Sequence, residues 1–137
     1  MQPQPIVFPL IANPWGLRVN CPTVRKVWGE EQIVINTDAY CGKRMLLNMG
    51  YRCSMHMHKV KDETFFIESG MMYVELEHPD GRREARTMNP GDSVHVPPGT
   101  WHRFTGFVNT VFFEFSTHDD PNDSYRREPS GPAPGNA

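Results

Sequence analysis

Gly50-Tyr51-Arg52-Cys53-Ser54-Met55-His56-Met57-His58-Lys59-Val60-Lys61-Asp62-Glu63-Thr64-Phe65-Phe66-Ile67-Glu68-Ser69-Gly70 is the stretch that decides how this chain is read. Arg52–His58 and Glu63–Glu68 are short runs rich in Met, Phe and Ile, bounded by Gly50 and Gly70, and they read as two strands. Side chains at i and i+2 of a strand share a face, so His56 and His58 turn both imidazoles the same way and can bind one metal together. Glu63 opens the next strand, where a tight connection brings its carboxylate beside the two rings. His102 follows Pro97-Pro98-Gly99 far along the chain and closes the set from another strand. Three neutral imidazoles and one carboxylate form a mixed N/O site for a divalent ion, Mn, Fe, Co, Ni or Zn, with Mn or Zn favoured, and the cation's charge holds Glu63 ionised.

Outward from this stretch the same pattern repeats. Strands are predicted near Glu31–Asn36, Tyr40–Met49, Met71–Glu77, Arg82–Met88, Ser93–Val96, Trp101–Thr105 and Val108–Ser116, and helical periodicity is hard to find. The breaks carry turn chemistry, as in Pro79-Asp80-Gly81, Asn89-Pro90-Gly91 and Pro97-Pro98-Gly99. A chain of 137 residues is expected to be one domain, and this one reads as an all-β sandwich or barrel. Residues 1–25 hold five of the thirteen prolines and are expected to lie as an arm across the body. Glu128–Ala137 reads as a disordered tail.

Charge excludes one class of partner. Fourteen Lys and Arg face sixteen Asp and Glu, and the basic pairs are scattered, so no stripe exists to track a nucleic-acid backbone. Cys21, Cys41 and Cys53 form an odd set without C-x-x-C spacing, which argues against disulfides and a thiolate zinc site. No secretory leader and no membrane-length apolar run is found, so a cytoplasmic protein is expected.

Gly50, His56, His58, Glu63 and Gly70 match the first cupin motif, G-x5-H-x-H-x4-E-x6-G, and Gly91, Pro97, Gly99 and His102 match the second, G-x5-P-x-G-x2-H. The chain thus resembles the cupin superfamily over residues 26–127, which implies a double-stranded antiparallel β-barrel, jelly-roll-like. One position departs: the family often places Asn four residues after the last His, and here that residue is Gly106.

Further elements narrow the resemblance. Val27-Trp28-Gly29-Glu30-Glu31, Tyr40, Lys43, the His56/His58 run, Glu63-x-Phe65 and Asp119-Asp120 leading to Asp123-Ser124-Tyr125-Arg126 resemble two groups of aldose–ketose isomerases. These are the cupin D-lyxose isomerases and the cupin domain of bacterial mannose-6-phosphate isomerases, and Lys61–Phe65 is closer to the former. The resemblance implies a metal-dependent isomerase that moves a proton between C1 and C2 of a sugar or sugar phosphate through a cis-enediol.

Glu114, a lone carboxylate among Phe112, Phe113 and Phe115, is the first candidate for the base, although strand alternation allows it to face inward or outward. Lys61 is the second candidate, with a solvated loop charge as its ordinary alternative. Arg126, Lys43 and Tyr40 are the candidate substrate-binding residues. Trp28, Tyr40, Phe65, Phe104 and Phe112 read as core rather than as a sugar platform. Two rival functions remain at this stage: an Fe(II)-dependent cupin dioxygenase and a non-enzymatic sugar or metal binder. Exposed barrel edges and the N-terminal arm suggest a homodimer.

Overall fold

The computed structural model describes residues 2–4 and 18–135, and most of the expected N-terminal arm lies outside them. Thirteen strands follow one another: β1 (Thr23–Lys26), β2 (Gly29–Asn36), β3 (Cys41–Leu47), β4 (Tyr51–Arg52), β5 (Met55–Met57), β6 (Glu63–Ser69), β7 (Met72–Glu77), β8 (Arg83–Met88), β9 (Ser93–Val96), β10 (Trp101–Gly106), β11 (Thr110–Ser116), β12 (Tyr125–Glu128) and β13 (Gly131–Pro132). No helix among the described residues is long and apolar enough to cross a membrane. The first sheet runs β1-β2-β3-β11-β6-β9. In the second, β10 is central, with β7 and then β8 on one side and β5 and β4 on the other, flanked in turn by β12 and β13. Every recorded pairing is antiparallel, as expected for the double-stranded barrel.

Both ends of the expected barrel need redrawing. β1 crosses the boundary drawn at residue 25 and pairs with β2. The segment read as a disordered tail supplies Glu128 to β12 and all of β13, and Ala133 donates its N–H to the Gly50 carbonyl at 2.8 Å. Proline suits this edge because β13 borders a single neighbour, where a missing N–H costs no ladder bond. Composition alone hid this: a Pro- and Gly-rich run resembles a linker, and only an open strand edge makes it a partner.

β4 and β5 are one predicted strand with a break. Arg52 faces Thr105 and His56 faces His102, so four steps on one side match three on β10, and the extra residue falls in the Cys53–Ser54 step. Gly106 lies where a side chain has no room, since a Cβ there would sit 2.8 Å from the Asn48 carbonyl oxygen. Gly70, at the end of the first motif, has φ +92° and would bring a Cβ to 2.4 Å from the Asn109 carbonyl oxygen.

Inward residues of both sheets make the core. Phe65, Phe104 and Phe112 sit at its centre, with ring centroids 4.6, 5.5 and 6.0 Å apart. Trp28 joins the same cluster, as expected, whereas Tyr40 is 54% exposed and does not.

Candidate metal centre and the cavity above it

His56 on β5 and His102 on β10 face each other directly across the ladder, so their rings share the interior face at a centroid distance of 4.2 Å. His58 follows at i+2, and ligand atoms of the three histidines all lie within 4.8 Å of one another. Each ring is fixed by a backbone carbonyl: His56 Nδ1 lies 2.8 Å from Ser54 O, His58 Nδ1 2.7 Å from Asp123 O, and His102 Nδ1 3.0 Å from Thr100 O. A carbonyl only accepts, so each Nδ1 carries the hydrogen and each Nε2 offers a lone pair to the interior. The bulged Ser54 is therefore what aims His56.

Glu63, the first residue of β6, completes the cluster. Its Oε1 is 3.2 Å from His58 Nε2 and its Oε2 3.2 Å from His102 Nε2. Glu63 Oε2 and His102 Nε2 are nevertheless buried without a hydrogen-bond partner. Two buried acceptors facing each other at that distance suit a shared cation, so the donor set fits a divalent metal. Burial pushes the His56 imidazole down to about 3, helped by His102, and leaves it neutral. Burial alone would raise Glu63, but the His102 and His58 rings against its oxygens and the charge of Lys61 hold it well below the usual carboxylate range.

Strand register settles the direction of Glu114. It lies opposite Lys43 on β3 and Phe65 on β6, and Phe112 and Glu114 are buried while Phe115 is exposed. Glu114 is 3% exposed and Lys61 3% exposed. Lys61 Nζ reaches Glu114 Oε2 at 2.7 Å, Asp119 Oδ1 at 2.7 Å and Glu63 Oε1 at 3.0 Å. Burial works against the Lys61 charge, but Glu114 and Glu63 outweigh it and raise its pKa. Burial, then the charge of Glu63, raises Glu114, with Lys61 and Lys43 pulling the other way. Ser116 Oγ also donates to Glu114 Oε2, at 3.0 Å.

These groups line a cavity of about 300 Å³ whose apolar floor includes Phe65, Phe104 and Phe112. That is near the low end for a small-molecule site, roughly 300–1,000 Å³. Arg126 lines it as well, placed opposite His56 by the β12–β5 ladder. Lys43 is buried in the wall, bound to Asp119 Oδ2 at 3.0 Å and Glu31 Oε2 at 3.5 Å. Tyr40 is the one expected substrate-binding residue that does not line the cavity; it sits in the β2–β3 turn, where its carbonyl accepts the Thr37 N–H.

Two residues enter the sequence reading only as part of the resemblance, with no place in the site assigned to them. Asp119 bridges Lys61 and Lys43, and the Asp123 carboxylate accepts the N–H groups of Lys59, Val60 and Lys61, pinning the loop between β5 and β6. Nothing in their spacing from the motifs signals this, because both act across more than fifty residues of chain.

Residues 43–110 match the cupin domain family model. A protein of Thermosediminibacter oceani named D-lyxose/D-mannose isomerase is 29% identical over 120 residues, covering 71% of this chain and 66% of that one. One of Cohnella laeviribosi named D-lyxose ketol-isomerase is 32% identical over 118 residues, covering 64% of this chain and 65% of that one. The chain thus spans just under two thirds of the length of these curated relatives. Among solved structures, the capsular polysaccharide assembling protein CapF from Staphylococcus aureus superposes with a TM-score of 0.72 at 20% identity, over 81% of this chain and 32% of that one. Oxalate decarboxylase from Bacillus subtilis gives 0.69 at 17% identity, over 78% of this chain and 30% of that one. At these identities the two structures speak for the fold alone.

Proposed function

Because residues 43–110 of this chain are a cupin domain, and its curated relatives are named as sugar isomerases, we propose that it is a metal-dependent aldose–ketose isomerase of the D-lyxose/D-mannose type. The observation that carries this reading is the placement of a buried carboxylate and ammonium, Glu114 and Lys61, in the same cavity as the His56, His58, Glu63 and His102 cluster. Those four residues would hold a divalent cation, with Mn or Zn favoured, and the cation would supply Lewis acidity toward a carbonyl and its neighbouring hydroxyl.

This chain's own residues do the rest. The contacts of Lys61, Ser116 and Cys41 with Glu114 all fall on Oε2, so Oε1 is the oxygen left to take the proton from C2 of the aldose and return it to C1. A carboxylate whose pKa is raised by burial is a stronger base than the same group in water and takes that proton more readily. Lys61, bound to three carboxylates, keeps Glu114 ionised between transfers. Arg126 offers its planar fork to the far hydroxyls or to a phosphate. The apolar floor excludes water from the carbon under attack.

The test is proton exchange. Metal-loaded protein is incubated with lyxose, mannose and their phosphates in D₂O, and deuterium at C2 is followed by NMR. The expected result is incorporation with at least one sugar; none with any of them would overturn the reading.

Two further features belong to it. A homodimer is supported by the outer face of the first sheet, where Phe113 lies opposite Phe66, and Phe66 and Phe115 are 38% and 56% exposed. A cytoplasmic location is supported by three free cysteines, Cys21, Cys41 and Cys53.

A further inference from the structure

Lys43 stands directly opposite Glu114 in the β3–β11 ladder, where side-chain roots are about 4.5–5.5 Å apart. A lysine so close to a buried carboxylate is expected to bind it. Instead its ammonium is 3.0 Å from Asp119 Oδ2, while Lys61, from a different part of the chain, occupies Glu114 at 2.7 Å. The other oxygen of Asp119 holds Lys61 at 2.7 Å. An ammonium has three N–H donors, and Lys61 has three carboxylates around it, Glu63, Glu114 and Asp119. The contact with Asp119 Oδ1 has the geometry of a hydrogen bond, and those with Glu114 and Glu63 are ion pairs, so Asp119 is what orients the ammonium.

Asp119 is itself anchored. Asn36, at the end of β2, donates from Nδ2 to the Asp119 carbonyl at 3.0 Å and accepts the Asp119 N–H on Oδ1 at 3.0 Å. His118 Nδ1 donates to the Thr37 carbonyl at 2.8 Å, so the segment after β11 is tied down by two neighbouring residues. Asp119 lies beyond the 43–110 span of the family match.

From this geometry we propose that Asp119 is a positioning residue: its carboxylate aims the Lys61 ammonium at Glu114 and draws Lys43 away from it, and the Asn36 amide sets its height in the cavity. The proposal rests on the isomerase reading for its kinetic consequence but not for its structural one. Without Asp119, one Lys61 N–H loses its acceptor, and Lys43 is free to turn onto Glu114 and compete with the substrate proton for that carboxylate.

The experiment compares Asp119→Asn and Asn36→Ala with the unaltered protein in three measurements: bound metal per chain, kcat and KM for C2 exchange, and acetylation of Lys61 by acetic anhydride read by mass spectrometry. Expected for Asp119→Asn are unchanged metal content, kcat down by about 10–100-fold with KM within about threefold, and Lys61 acetylation severalfold faster. Asn36→Ala moves the same quantities in the same direction by less. Unchanged kcat, a change confined to KM, loss of metal, or unaltered Lys61 labelling would each overturn the proposal. Should the unaltered protein exchange no sugar proton, the isomerase reading fails separately, and Lys61 labelling alone decides whether Asp119 positions that ammonium.

Discussion

Along four strands the inward side chains change character within two residues. Leu47 and Met45 give way to Lys43 on β3, Ile67 and Phe65 to Glu63 on β6, Phe104 to His102 on β10, and Phe112 to Glu114 on β11. One end of the barrel interior is therefore a close-packed apolar plug, and the other holds charges that are equally buried. Each phenylalanine in the plug contributes roughly 1.5–3 kcal/mol by leaving water. Buried ions do the opposite unless their partners offset the loss of hydration, and apolar replacements of such groups are often neutral or stabilising. On the proposed reading the polar end serves the chemistry, while the apolar end holds the strands in register so that those charges meet.

If that division is right, substitutions in the two halves separate activity from stability. The largest effect is expected from His58→Ala, which removes one ligand from the cluster: tight metal uptake is lost, measured by metal analysis after dialysis, and turnover with it. Glu114→Gln keeps the shape and the metal but removes the base, and kcat falls by roughly 10²–10⁴-fold. If kcat survives, Glu114 is not the base, whatever the fate of the isomerase reading.

Phe112→Ala, one inward position from Glu114, tests the other half. It should lower stability by about 3–5 kcal/mol in urea unfolding while the folded fraction still binds metal. A smaller effect comes with acid. Burial pushes the Asp119 carboxyl up, but Lys61 and Lys43 win and hold it at about 2, below its ordinary 3.8. A group depressed on folding stabilises the protein above the unfolded pKa, and that stabilisation is lost as pH falls through the folded one. The urea midpoint should thus drop more steeply between pH 3.8 and 2 for the unaltered protein than for Asp119→Asn. Least of all, Phe115→Ser on the outer face should change the stability of the single chain by no more than about 0.5 kcal/mol. Any larger effect that depends on protein concentration would locate a subunit contact there.

The amino-acid order by itself determined which side chains share a face. Two-residue alternation places His56 with His58 and Phe112 with Glu114, and turn residues at Gly70, Pro79-Asp80-Gly81 and Pro97-Pro98-Gly99 mark where strands end. The four candidate ligands were legible because three of them lie on two strands consecutive in the sequence and the fourth follows a distinctive turn. Alternation is silent on which face is interior, so the direction of Glu114 waited on its pairing with Lys43 and Phe65. Tertiary structure alone decided that Asp119 and Asp123 reach back across more than fifty residues, and that a proline-rich terminus completes a sheet edge. The physical reason is one of range: side-chain period is a property of a few consecutive residues, whereas a salt bridge or a strand edge depends on where distant backbone comes to rest.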